Sequence, residues 1–277
     1  MKDEPLETGI TVRLIKPRRP SEAERRSAGV RAMRAIEKRR GAPATRFKRI
    51  MAFARDLAAE DSKALPWLIT ALGRIVQSQA IVEPTLHYPR DVSSSAYSPD
   101  TLFFPEFEPL DAVGRTFRNV AWELKEMREL RLDRDIIIAW PWQPHRLMMS
   151  ISKLRPHGGW GRWKQEWNHQ VELWEPIGIG FVHGGNHSIA AGVLTASGKI
   201  KPDFGYDLTP VYDHVVCNGR EFRRKQDKGV IAEVASVEMA AIFEIGRLMV
   251  EIRNHRQGSS ATPGPISIGR TDIEAQA

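Results

Sequence analysis

The 277-residue sequence predicts an α+β fold, mainly helical in its N-terminal half, followed by a small mixed-sheet region and a long C-terminal helix. Three observations predict it. Apolar residues recur at helical spacing as far as Leu132; short apolar runs with strand character take over from Ile136; and helical spacing returns between Ile231 and Asn254. The expected organisation is a basic helical bundle over residues 1–82, a proline-rich linker loop over 83–109, an α+β domain over 110–257 and a disordered tail over 258–277.

In chain order, Ser21 to Arg40 reads as a helix: Ser21 is placed to cap it, Glu24 completes a capping box, and Val30, Met33 and Ile36 share one side. The opposite side carries Arg25, Arg26, Arg31, Arg34, Lys38, Arg39 and Arg40, a face suited either to nucleic acid phosphates or to plain solvation. Ala44 to Ala59 is a second basic helix, with Phe47, Ile50, Met51, Ala54 and Leu57 inward, and the apolar stretch Ala64 to Val82 packs on both. Five prolines and the run Ser93 to Ser95 make 83–109 a loop, anchored by Tyr88, Tyr97, Phe103, Phe104 and Phe107. Leu110 to Leu132 has amphipathic spacing through Val113, Phe117, Val120, Leu124, Met127 and Leu130 and is expected to be helical. Strands are expected at Ile136 to Trp140, Val171 to Trp174, Ile177 to Val182 and Thr209 to Val216, with a helix at Leu147 to Leu154. The last helix, Ile231 to Asn254, turns Val234, Val237, Ala241, Ile245, Leu248 and Ile252 to the core.

Composition narrows the function classes. The window Ala64 to Val82 is interrupted by Arg74, Gln77 and Gln79, so it reads as a buried helix and not a membrane span. The opening MKDEPLETGI has no apolar core of a secretory signal, and the single cysteine, Cys217, excludes an intramolecular disulfide; a cytoplasmic location is expected. Residues 1–60 hold 16 basic and 8 acidic side chains, a net +8, whereas the other 217 residues hold 25 and 26, a net −1. The surplus positive charge is therefore N-terminal, which keeps DNA open as a partner.

The stretch IGIGFVHGGNHSIAAGVL, Ile177 to Leu194, reads as strand, two-glycine turn and helix. Gly184 and Gly185 allow a sharp turn and close approach to a ligand, Ser188 stands at the expected N-cap, and the first helix amides would face an anion. Asn186 and His187 project into the same space. The same pattern also serves as a plain strand-to-helix connection.

Three segments resemble the ParB/sulfiredoxin-like fold over residues 136–216. PWQPHR at 141–146 resembles the proline-glutamine-proline-arginine box of ParB N-terminal domains, with His145 inserted before Arg146; LMMSI at 147–151 with Gly158 is similar to the helix and glycine that follow it. HGGNHSIAAG at 183–192 is similar to the glycine-rich phosphate turns of both families. The resemblance implies a small mixed sheet and a nucleotide-phosphate or nucleic-acid-phosphate site, with Gly184, Gly185, Asn186, Ser188 and Arg146 binding phosphate. Ser188 stands where those families place a phosphate-binding arginine, and Asn186 where sulfiredoxin has its catalytic cysteine, so sulfiredoxin chemistry is excluded and the charge must come from Arg146 or Arg155.

If the protein is an enzyme, phosphoester or nucleotide hydrolysis is the expected reaction, with His187 as acid/base or phosphate ligand and Glu166 as a candidate general base. A nucleotide and a divalent metal are the candidate cofactors, although no spacing marks a metal site; His145, His157, His169, His183, His187 and His214, with Asp203, Asp207 and Asp213, supply the ligand types. Tyr212 to Asn218 has only the opening of an HNH nuclease motif. In GGWGRWKQEWNHQ, Trp160, Trp163 and Trp167 alternate with Arg162, Lys164 and Glu166, a pattern that fits base stacking or, more economically, the core face of a short helix. The alternative function is a non-enzymatic DNA-associated module that binds through the basic N-terminal helix.

Overall fold

In the computed structural model, residues 41–92, 97–154, 159 and 161–259 are described, 258 and 259 by backbone alone. The fold is α+β. The expected basic helix from Ser21 to Arg40 lies outside the described residues, as does the expected tail beyond Ser259.

Helix α1 (Pro43–Asp61) opens on a proline, whose fixed φ suits the first turn, and buries Phe47, Met51 and Ala54 at helical spacing. A single 3₁₀ turn, Ser62–Ala64, joins it to α2 (Leu65–Leu86), which buries Leu65, Ile69, Leu72, Val76 and Ala80. Two one-turn helices, α3 (Pro99–Leu102) and α4 (Phe117–Val120), lead to strands β1 (Trp122–Glu123), β2 (Leu130–Arg131) and β3 (Ile136–Ile138). Then follow α5 (Pro144–Lys153), β4 (Val171–Glu175), β5 (Ile179–Val182), α6 (Asn186–Leu194), β6 (Lys199–Ile200) and β7 (Phe204–Asp207). The chain finishes with α7 (Val211–His214), the meander β8 (Val215–Cys217), β9 (Glu221–Arg224) and β10 (Val230–Glu233), and α8 (Val237–Ser259).

The main sheet is mixed, in the order β1-β7-β4-β5-β3. β4 and β5 form an antiparallel pair, and β7 and β3 join its two sides in parallel. Both faces are covered. Ile136, Ile138, Ile179 and Phe181 enter one core with α1, α2 and α8, whereas Ile137, Val171 and Leu173 enter another with Leu147 of α5 and Ile189 and Ala190 of α6. That two-sided burial is why β3 reads as an unbroken apolar run and not an alternating one. β3 is an edge strand, and α2 seals it: Gln77 Nε2 donates to the Ile137 carbonyl at 3.2 Å, and the bare Cα of Gly73 lets the helix come so close that a Cβ there would lie 2.9 Å from Ile136.

Five expectations are corrected. The described residues from Ala42 onward form one compact unit, in which α1 and α2 pack on α8 and share its core, so the described part of the expected 1–82 bundle is not a separate domain. Nor is 83–109 a linker, since Leu102, Phe103 and Phe104 are core residues and Phe103 stacks on Trp174 at 5.1 Å between ring centres. The helix expected over 110–132 is reduced to α4: Gly114 takes φ +82, and the Asp111 carboxylate accepts the amides of Val113 and Arg115, so a turn wins over helix although Leu110, Phe117, Val120 and Leu130 are buried as their spacing foretold. Thr209 to Val216 divides into α7 and the start of β8, and the final helix begins only after Ser236, whose Oγ accepts the Met239 amide, leaving 230–233 to the meander.

Inside α8 the residues Met239 to Phe243 are fully buried, and below them Glu244 and Arg247 form a buried ion pair, Nε to Oε2 at 2.7 Å. Its spare hydrogen-bonding capacity is used: Arg247 donates to the carbonyls of Tyr212 and Val215, and Glu244 accepts the Cys217 amide at 2.6 Å. Two buried charges are tolerable when their remaining valences are filled in this way. Among the described residues no helix is long and apolar enough to cross a membrane.

Replacing Gln77 by Leu leaves the Ile137 carbonyl buried without a donor. The expected loss of unfolding free energy is about 1–3 kcal/mol, read by denaturant titration, against less than about 0.5 kcal/mol for Ile75→Gln on the exposed side of the same helix.

Candidate functional site

β3 and β5 run parallel, so their carboxyl ends emerge on the same side of the sheet. From β3 the chain continues through Trp140–Gln143 into α5, and from β5 through His183–Gly185 into α6; the two helices pack against each other. Beyond the carboxyl ends of adjacent parallel strands is where open α/β sheets offer a ligand crevice.

The two-glycine turn is there, but its polar groups serve the chain. The Gly184 amide donates to the Gln170 carbonyl at 3.2 Å, so it does not face a ligand as expected. Gly185, at φ +75, is the N-cap in place of Ser188. A Cβ on Gly185 would lie 2.2 Å from His169 Cδ2, and one on Gly184 2.6 Å from the Asn168 carbonyl. The close approach that needs glycine is therefore to the 168–170 segment. Asn186 is buried, its Oδ1 accepting the Trp140 amide at 2.6 Å and tying α6 to the end of β3. Ser188 sits in the first turn of α6, where its Oγ accepts from Trp163 Nε1 at 3.0 Å.

His187 is buried on the same turn. Its Nε2 accepts the Gln143 amide at 3.1 Å, and its ring meets Trp142 edge to face at 4.8 Å. Burial first, then the Arg146 charge, push its pKa down to about 4, with Asp91 opposing. At neutral pH the imidazole is uncharged with Nε2 occupied, so Nδ1 carries the proton and the residue is a hydrogen-bond donor and not a base.

A cleft of about 500 Å³ opens at this turn. Arg146, Glu166, Gly185, His187 and Ser188, all expected at the site, line it together; Gly184 and Asn186 do not. Arg162 and Lys164 line it as well, and neither forms an ion pair among the described residues. Arg146 from α5 holds Gln143 Oε1 at 3.2 Å, and Gln143 in turn donates to Asp91 at 3.0 Å. Among the described residues three cations thus share the cleft with one carboxylate, the exposed Glu166. The cleft's inner wall is Trp163 stacked on His169, ring centres 4.8 Å apart. His169 Nδ1 accepts the Glu166 amide at 2.8 Å, and burial holds its pKa below the usual imidazole value, Glu166 opposing.

Arg162, Lys164 and His169 line the cleft although the glycine turn alone does not reveal them. Their signal is the alternation of indoles and cations in GGWGRWKQEWNHQ. The expected helix does not form there: its described residues are irregular, Trp163 is buried and Trp167 is 93% exposed. Residue 155 lies outside the described residues, and so do Arg25, Arg26, Arg31, Arg34, Lys38, Arg39 and Arg40. Among the described residues no three His, Cys, Asp or Glu side chains gather as metal ligands. In the HNH-like stretch Tyr212 is core, and burial raises the Cys217 thiol to about 12, an inert group at neutral pH.

Residues 25–256 match the model described as a family of unknown function (DUF6710). No curated protein and no solved structure matches the chain.

Because the folded state holds His187 neutral, its contribution to stability is complete above the unfolded pKa near 6.5 and is lost as pH falls through about 4. Between those limits unfolding free energy is expected to drop by roughly 2 kcal/mol from this group, and His187→Gln, which keeps an acceptor for the Gln143 amide, flattens the profile. Gly185→Ala meets both an unfavourable φ and the His169 ring; a destabilisation of about 2–4 kcal/mol is expected, read as a fall in Tm.

Proposed function

The chain belongs to the DUF6710 family of unknown function, and from its cleft we propose that it binds a phosphate-bearing ligand, a nucleotide or a nucleic acid phosphate, in the manner that the ParB/sulfiredoxin-like resemblance implies. One observation carries this reading: Arg146, Arg162 and Lys164 line one cleft with the first turn of α6, and Glu166 is the only carboxylate lining it among the described residues, so an anion there gains charge-assisted hydrogen bonds at little cost in broken ion pairs. The Gly185 turn still sets the helix start at the cleft, and the Ser188 hydroxyl and His187 imidazole supply neutral donors. Stacking of a base on the exposed side of this region is supported by the indoles interleaved with the cations.

Hydrolysis of the phosphoester is the reaction that suits this arrangement. Its proton acceptor is then Glu166, exposed at the cleft, because His187 has its Nε2 committed and its proton on Nδ1. His187 and Arg146 orient the phosphate and offset its charge.

A second reading, a DNA-associated module acting through Arg25 to Arg40, is supported by the net +8 of residues 1–60. The two separate by salt and by site.

In thermal-shift and equilibrium-binding measurements with a panel of nucleoside triphosphates, with and without magnesium, one of them is expected to stabilise the wild type. Arg162→Ala and Lys164→Ala are each expected to weaken it about tenfold or more, without change in fold. Binding of DNA that is steep in salt, lost on Arg25→Ala with Arg26→Ala, and indifferent to Arg162→Ala selects the second reading instead.

A further inference from the structure

On the other side of the α6 N-terminus lies a second cavity, of about 440 Å³. Its walls are the rings of Tyr97, Trp140, Trp142 and Phe181, with His183 and Asn186 among its few polar groups. Trp142 lines this cavity and His187 the phosphate cleft, and the contact between these two rings stands between them.

Three polar atoms here have no partner among the described residues. Trp140 is nine-tenths buried, and its Nε1–H, fully shielded from water, makes no hydrogen bond. A donor that water cannot touch is out of a ligand's reach as well, so only the other two can take part in binding. The Asn186 carbonyl oxygen is taken by the Trp140 amide, whereas its Nδ2 donates to nothing described. His183 Nε2 lies 2.7 Å from Oε2 of the buried Glu172, whose other oxygen accepts Trp174 Nε1. A carboxylate only accepts, so the pairing puts a proton on Nε2; in the neutral imidazole Nδ1 is then an acceptor, and it has no hydrogen bond among the described residues.

We propose that this cavity is a second, phosphate-independent ligand site for a planar heteroaromatic ring whose edge offers an acceptor beside an N–H donor, as a lactam does. The aromatic walls stack on the ring, with Tyr97 and Trp140 centred 5.0 Å apart at one side. Asn186 Nδ2 donates to the ligand carbonyl, and the neutral His183 imidazole, held in place by Glu172, accepts the ligand N–H at Nδ1. The polar edge selects and the rings supply the affinity. A saturated ring lacks the stacking, and an N-alkylated lactam leaves His183 unsatisfied.

The test uses the full chain with 15N-labelled tryptophan, the Trp140 indole signal being assigned with Trp140→Phe. Titration with 2-pyridone and with hypoxanthine is expected to move that signal, while N-methyl-2-pyridone binds about tenfold or more weakly. His183→Phe, which keeps a flat ring, erases the preference for 2-pyridone over its N-methyl form. Because that variant also strips Glu172 of a partner, Tyr97→Ala is run beside it and is expected to weaken both probes. Inorganic pyrophosphate does not compete. A Trp140 signal unmoved by either lactam up to about 10 mM, equal affinity for the two pyridones, or binding indifferent to both variants overturns the proposal.

Discussion

The parallel pairing of β3 with β5, Ile136 to Ile179 through Ile138 to Phe181, is the constraint on which the rest of this molecule turns. Both strands are buried on both faces, so neither can end in solvent without first delivering its chain to a helix that covers the sheet. The helices they deliver to, α5 and α6, pack side by side, and the Asn186 side chain ties the start of α6 to the end of β3 by accepting the Trp140 amide. Both cavities described above open at this junction, one on each side of the first turn of α6.

At that junction polar groups divide into two sets. The Gly184 amide, Asn186 Oδ1 and His187 Nε2 are taken up by neighbouring backbone, at Gln170, Trp140 and Gln143, which fixes the turn and removes those atoms from direct chemistry. Arg146, Arg162 and Lys164 have long side chains at the cleft and no carboxylate within ion-pair reach among the described residues. A cleft built in this way has its backbone fixed by hydrogen bonds while its charges stay on long side chains, the arrangement on which the proposed anion binding rests. On the opposite side of the sheet, α8 with its buried Glu244–Arg247 pair holds the α7–β8 segment, so the same core that packs α1 and α2 also braces the small meander.

The order of most strands and helices was legible in the sequence, because period is a local property: β3, β4, β5, α5, α6 and the two long N-terminal helices stand where apolar spacing put them, give or take a few residues. Leu110 to Leu132 shows where that logic ends. Its apolar side chains are buried as the helical spacing implied, yet a carboxylate at Asp111 and a left-handed glycine at 114 offered the backbone a turn, and local hydrogen bonds outweighed the pattern. In the same way Arg146, Glu166, His187 and Ser188, which line one cleft, were singled out from their neighbours in the chain, whereas the pairing of Glu172 with His183 was not, since it depends on the register of two strands.

By itself the sequence determined the class of fold, the strand-turn-helix at Ile177 to Leu194 and the residue types gathered around it, for these follow from spacing along one chain. Only the tertiary structure decided what the glycines are for, which charges are left unpaired and which histidine nitrogen is occupied. Those outcomes depend on atoms brought from residues 91, 140, 143 and 168–170 to within a few ångströms of the turn, and no periodicity encodes that approach.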